Sequence, residues 1–338
     1  MRFSGKIFFG ILRTAVAVGL LTYLTVSGAI HWQIILSLIS NWPITFLALI
    51  VCVLFSFVQA QRLSLLFWAQ DMSLHLYASF KLTLIGLFFN SCLPGATGGD
   101  AIKIYYAIEG NEGRRAEIAT LILFDRVIGM LGLLILPILA VPLFPIFYGE
   151  IETLRSLVWG SACVFLLVVV GILLCFIRRL KYSPWVQWVF ERLPLGNYLK
   201  RVLDTLYSYR YKKGTLLTVV GISVLGHAMN IAIILLLAMV LNPIVLRWEV
   251  SLLIPFGFLA MTLPISPGGI GVGEAAFAKL FALVGLSGGA DLLLGWRFLS
   301  LLVGLGGLFF YFEGRKRFVQ DSGSVRVPGG SLHSEGNN

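Results

Sequence analysis

Six stretches of this chain, residues 7–29, 43–67, 118–143, 157–177, 216–241 and 292–312, are continuous apolar runs. Crossing a bilayer as a helix takes about 20 mostly apolar residues. Inside lipid, every backbone N–H and C=O must be paired within the segment or a closed barrel, so runs of this length dictate α-helices. The charge count agrees. Asp, Glu, Lys and Arg make up 12% of the sequence, about half the roughly 25% usual for soluble domains. That is too little to cover a water-facing surface, which excludes a soluble enzyme, a disordered chain and a secreted disulfide scaffold. The expected fold is an all-α polytopic membrane protein.

Two further apolar blocks are interrupted. Residues 78–116 contain Leu93-Pro94-Gly95-Ala96-Thr97-Gly98-Gly99-Asp100, and residues 250–286 contain Leu263-Pro264-Ile265-Ser266-Pro267-Gly268-Gly269, then Gly271, Gly273 and Glu274. Proline removes a backbone donor and glycine loosens the chain, so both blocks are expected to break into re-entrant hairpins. Connecting segments 30–42 and 144–154 contain no Lys or Arg, whereas 178–213 carries nine: Arg178, Arg179, Lys181, Arg192, Lys200, Arg201, Arg210, Lys212 and Lys213. Arg62, Lys81, Lys103, Arg114 and Arg115 flank the first broken block, and Arg315, Lys316 and Arg317 follow the last span. The positive-inside rule then places both termini in the cytoplasm, with the first hairpin entering from inside and the second from outside.

This order is a repeat: span, span, broken hairpin, span, in residues 7–143 and again, inverted, in 157–312. The pattern Leu-Pro-x-x-x-Gly-Gly occurs at 93–99 and at 263–269; Arg126 follows the first and Arg297 the second at nearly equal distance. The expected architecture is therefore six full spans plus two broken hairpins, about eight membrane segments, in one domain over 1–317. Residues 318–338, rich in Gly and Ser, are expected to be a disordered cytoplasmic tail. Residues 31–42 and 185–211 are amphipathic and too polar to span, the latter broken at 194–196, and are expected to lie at the interface. The net charge of +10 is assigned to topology and anionic lipid, not nucleic acid. Cys52, Cys92, Cys163 and Cys175 have no metal-ligand or CxxC spacing; neither a metal nor a cofactor is expected.

Paired Gly/Pro-interrupted segments in corresponding positions of two halves point to a transporter binding site. Ionisable residues at membrane depth face a cavity or a partner, and here they are Asp100, Lys103, Asp125, Arg126, Glu274, Lys279 and Arg297. The amides of Gly98 and Gly99 open a helix whose N-terminus can hold an anion. Asp100 is the natural N-cap there, with or without a site role. Lys103, one turn on, either reaches a bound phosphate or snorkels to the surface. Gly268, Gly269 and Glu274 are the counterparts. Glu274 needs a cationic partner, Arg126 or Arg297. Each arginine either clamps a phosphate or holds helices together as an ion pair. His227 and Asn230, one turn apart, suggest interhelical hydrogen bonds before a proton relay. No nucleophile set for covalent catalysis stands out, and no catalytic residue is expected.

Phe89-Asn90, the run Leu93–Asp100, Lys103, and the run Pro264–Glu274 resemble the two signatures of the flippase-like family, also called the lysylphosphatidylglycerol synthase transmembrane region. The resemblance extends over about residues 7–313. It implies an integral domain of the bacterial inner membrane that moves or exposes lipid, here without the soluble aminoacyl transferase of two-part synthases. At Lys103 the resembled pattern has arginine, so charge is kept but bidentate geometry is not. The expected function is a lipid flippase or lipid-linked carrier transporter. A membrane phospholipid or isoprenoid lipid would bind in a midplane cavity between the hairpins, with Asp100, Lys103, Arg126, Glu274 and Arg297 around the headgroup. No GxxxxGK[ST] motif is present, so a gradient or partner would drive movement. The alternatives are an accessory protein presenting lipid to a membrane synthase or glycosyltransferase, and, ranked last, an intramembrane enzyme using Asp100 and Glu274 as acid and base.

Overall fold

The computed structural model describes residues 32–72, 74–92, 98–109, 112–142, 152–178, 183, 188, 192, 196–262 and 269–313. The described elements are helical. In chain order they are α1 (Trp32–Ser40), α2 (Trp42–Trp68), α3 (Leu76–Cys92), α4 (Gly98–Ala107), α5 (Arg115–Ala140) and α6 (Glu152–Cys175). They continue with α7 (Gly196–Ser208), α8 (Lys213–Leu241), α9 (Trp248–Thr262), α10 (Val272–Ala282) and α11 (Gly289–Glu313). Five of these, α2, α5, α6, α8 and α11, are long and apolar enough to cross a membrane. They coincide with five of the six expected spans. The sixth, 7–29, lies outside the described residues, as does the expected tail 318–338.

The element order repeats. A long helix, two short helices and a long helix occur as α2, α3, α4, α5 and again as α8, α9, α10, α11. Within each broken block the two arms pack on each other, α3 on α4 and α9 on α10. The lengths explain why these blocks are hairpins. The arms are 17, 10, 15 and 11 residues long, short of the roughly 20 that a complete crossing takes. Entry into α10 turns through Gly269 and Gly271, at φ 71° and 83°, a left-handed backbone that glycine adopts without a Cβ penalty.

The two sets of helices interlock. α2 packs along α8, α11 along α3, and α5 against α9. Glycines set how closely α11 approaches α3: a Cβ on Gly307 would lie 2.1 Å from the backbone oxygen of Leu84. Gly307→Ala therefore forces the helices apart, with an expected loss of about 1–3 kcal/mol, measurable as a lowered unfolding temperature in detergent. One apolar cluster runs through α8, α9, α10 and α11, with Leu237, Leu253, Phe277 and Leu293 fully buried; a second joins α2, α3 and α5 through Phe67, Phe88 and Leu121. The outer surface is also apolar. α6 exposes Val164, Leu166, Leu167, Val170 and Leu173. On a water-facing surface such a stripe is an aggregation hazard; against lipid it is the matched surface.

Within 185–211, α7 covers residues 196–208, and it packs on α5 and α6. Lys200 and Arg201 on it are exposed, as an interfacial helix requires. Arg62 and Lys81 correct the charge reading. Expected as surface cations flanking the first broken block, both are buried inside helices, Arg62 paired with Asp125 and Lys81 with Glu313. Their partners lie 63 and 232 residues away, beyond the reach of loop-by-loop counting.

Candidate polar cavity

α4 opens on two glycines because its start lies against α3. A Cβ on Gly99 would fall 2.1 Å from the Gly86 oxygen. The Gly99 N–H is not left open to a ligand; it donates to Asn90 Oδ1 at 2.9 Å. Of the two amides expected to hold an anion, that of Gly99 is therefore already occupied. Asp100 lies in the first turn and is not the N-cap. Its carboxylate points instead to the cations: Oδ2 accepts from Arg126 Nη1 at 2.7 Å, and Oδ1 is 3.7 Å from Lys103 Nζ. The Lys103 stem lies over Gly86, where a Cβ would meet its Cε at 2.2 Å. Lys103 is thus buried along α3 and does not reach out to the surface.

The second hairpin repeats this arrangement. Arg297 on α11 donates from Nε to Glu274 Oε1 at 2.6 Å and from Nη2 to the Gly269 oxygen at 2.8 Å. The other Glu274 oxygen accepts the Gly271 N–H at 2.7 Å. Glu274 thereby caps α10 and holds Arg297 at once. A carboxylate in the first turn of a short helix is tied to an arginine on the next long helix in both halves.

The correspondence extends one residue upstream. Asp125, before Arg126, is held by Arg62 of α2 through Nε at 2.7 Å and Nη2 at 3.0 Å. Trp296, before Arg297, donates its indole N–H to Asn230 of α8 at 3.0 Å. Each is a bridge from the last long helix of a half to its first, ionic in one half and neutral in the other. Arg62 also donates to Ser223 Oγ at 3.1 Å, and His227 Nε2 contacts the Gly129 oxygen at 2.9 Å. His227 and Asn230 both make the interhelical contacts expected of them.

These bridges line one cavity of about 320 Å³, walled by α2, α3, α4, α5, α8, α9 and α11. That is the lower end of the roughly 300–1,000 Å³ typical of small-molecule sites. Arg62, Lys103, Arg126 and Arg297 line it, with Asp100 and Asp125. Counting Glu274 behind Arg297, four cations face three carboxylates and leave one positive charge over. Of the expected site residues, Asp100, Lys103, Arg126 and Arg297 come together here. Glu274 and Gly269 act through Arg297, Gly98 and Gly99 build the α4 start, and Gly268 lies outside the described residues. Lys279 is exposed on α10. Among the described residues no group of His, Cys, Asp and Glu is placed to hold a metal. The residues not expected here are Arg62, Gln59, Asn90 and Trp296. Gln59 and Arg62 had one visible signal, the polar cluster Gln59, Gln61 and Arg62 inside the apolar span 43–67.

Helices long enough to cross a bilayer, two broken hairpins and a charged cavity between them define a multi-pass membrane protein with an internal polar site. The chain belongs to the Lysylphosphatidylglycerol synthase TM region family, which matches residues 10–307. That membership ties it to lipid handling in a membrane. No curated protein and no solved structure matches the chain significantly.

Proposed function

We propose that this protein moves an anionic lipid headgroup through the cavity between its two hairpins, as a flippase or lipid-linked carrier transporter. The observation that carries the reading is the convergence of Arg126 and Arg297, from equivalent positions of the two halves, on one polar cavity. Guanidinium groups match phosphate oxygens bidentately, and each arginine here is anchored by a carboxylate, Arg126 by Asp100 and Arg297 by Glu274. The two halves act as inverted repeats over about 7–143 and 157–312 in the cytoplasmic membrane of a bacterium. Rocking of one half against the other exposes the headgroup to each side in turn. The acyl or isoprenoid chains stay in the bilayer, consistent with a cavity sized for a headgroup alone.

The test is lipid scrambling by purified protein in liposomes, with fluorescent phosphatidylglycerol, phosphatidylethanolamine and isoprenyl phosphate. Dithionite quenches the outer-leaflet label. Quenching beyond the outer-leaflet fraction is expected for an anionic lipid and is expected to vanish in Arg126→Ala. Protection equal to protein-free vesicles for every lipid, with and without an imposed pH gradient and membrane potential, would overturn the reading.

A further inference from the structure

Resting on that reading, we infer that the headgroup crosses together with a proton, and that His227 on α8 is the residue that takes the proton up. Among the described spans only α8 carries a histidine, and it lines the cavity. Its two ring nitrogens are placed differently. Nε2 lies 2.9 Å from the Gly129 oxygen of α5. A carbonyl only accepts, so Nε2 carries the hydrogen and Nδ1 is left as an acceptor. Nδ1 is fully buried and has no hydrogen-bond partner among the described residues. Donors lining the same cavity are committed elsewhere. Ser223 Oγ donates to the same Gly129 oxygen at 3.3 Å, Arg62 to Asp125 and Ser223, and the Trp296 indole to Asn230.

An acceptor left unmet in a buried setting is costly, and native structures hold few of them. A headgroup hydroxyl does not supply the missing donor, because Nδ1 is closed off from the open space of the cavity. A proton needs no such room. A histidine on a helix leans over the preceding turn, where the backbone N–H groups are already used and each carbonyl keeps a second lone pair. Protonation turns Nδ1 from an acceptor among acceptors into a donor that those carbonyls can receive. Charge opposes it. The charged groups facing α8 around the cavity are Arg62 from α2, Asp125 and Arg126 from α5, and Arg297, backed by Glu274, from α11. α9 presents only Phe258, Met261 and Thr262, and α1, which also packs on α8, has no ionisable side chain. With Asp100 and Lys103 of α4 the sum is already one positive charge over. An imidazolium adds to that surplus, so it forms when an anion arrives, and the phosphate of the headgroup is that anion. By linkage, the phosphate tightens the hold on the proton as much as the proton tightens the hold on the phosphate. Loss of the headgroup to the far side then frees the proton there, so a pH gradient across the membrane drives the lipid.

The experiment is isothermal titration calorimetry of the detergent-solubilised full chain with dioctanoyl phosphatidylglycerol, whose phosphodiester stays ionised throughout the range used. Titrations from about pH 5.5 to about pH 8, spanning the ordinary histidine range, give the affinity. Titrations in buffers of different ionisation heat count the protons taken up. Wild type, His227→Gln and Arg126→Ala would be compared. Glutamine keeps an N–H for the Gly129 oxygen but does not titrate. Wild type is expected to take up as much as about one proton per lipid and to bind more tightly as pH falls, by at most about tenfold per pH unit, the limit for a single linked proton. His227→Gln is expected to bind with no proton uptake and with one affinity across the range. The wild-type proton count needs no variant, so it decides the matter even where His227→Gln fails to fold. Binding that depends on Arg126 but takes up no proton and keeps one affinity across the range would overturn the inference while leaving the cavity as a headgroup site. Proton uptake that persists in His227→Gln would overturn the assignment to His227. Binding unchanged by Arg126→Ala would overturn the headgroup reading and this inference with it.

Discussion

Replacing Arg62 by methionine is expected to destabilise the protein by about 3–5 kcal/mol, the range seen when one partner of a buried ion pair is removed. Arg62 and Asp125 are each less than one tenth exposed, and their contact is bidentate. Methionine refills the volume but leaves Asp125 charged and without its cation in a low-dielectric setting. The double variant Arg62→Met, Asp125→Leu removes both charges and should recover most of the stability, because replacing a whole buried pair by apolar groups is often neutral. It should not recover transport, since the cavity then loses one of its ionic walls. Unfolding in detergent, followed for the two single variants and the double variant, measures the first effect; liposome scrambling measures the second. A double variant as unstable as Arg62→Met would mean that the pair is not what holds α2 to α5.

Arg297→Lys is the second large effect, although the charge is kept. Arginine here makes two contacts at once, from Nε to Glu274 and from Nη2 to the Gly269 oxygen. A lysine ammonium has no planar fork and cannot reproduce both geometries. Loss of one charge-assisted hydrogen bond is expected to cost about 1.5–3 kcal/mol. It should loosen the turn into α10, because Glu274 also caps that helix through Gly271. At 1.4 kcal/mol per factor of ten, transport should fall roughly tenfold or more. Hydrogen exchange at 269–274 would rise in the variant. Exchange and transport both at wild-type levels would show that only the charge of Arg297 matters.

The contrast between these two arginines shows what the sequence could disclose. Arg126 and Arg297 were legible, because each follows a Leu-Pro-x-x-x-Gly-Gly break at nearly the same distance. Five spans followed from apolar run length alone, and the repeat order from those runs together with the two Gly/Pro breaks. Arg62 was misassigned. It lies six residues before the end of α2, where snorkelling to the surface is an equally good reading of the sequence. Its actual partner, Asp125, is fixed by the packing of α2 and α5, a tertiary fact. The occupancy of the glycine amides is hidden for a related reason. A glycine amide at a helix start is open to an anion only if no side chain takes it, and here Asn90 takes that of Gly99 and Glu274 that of Gly271. Glycine instead marks where α3 and α4 touch and where the chain turns into α10.

The central claim, that the cavity holds a lipid headgroup, is tested most directly by position-specific cross-linking in native membranes. A photoreactive side chain would replace Met130, which lines the cavity, and, in a separate variant, Leu167, which faces outward on α6. Lipid adducts would be identified by mass spectrometry. The expected result is an anionic lipid enriched at position 130 over position 167 and lost from position 130 when Arg126→Ala is added. The same unselective mixture of membrane lipids at both positions, unchanged by Arg126→Ala, would contradict it.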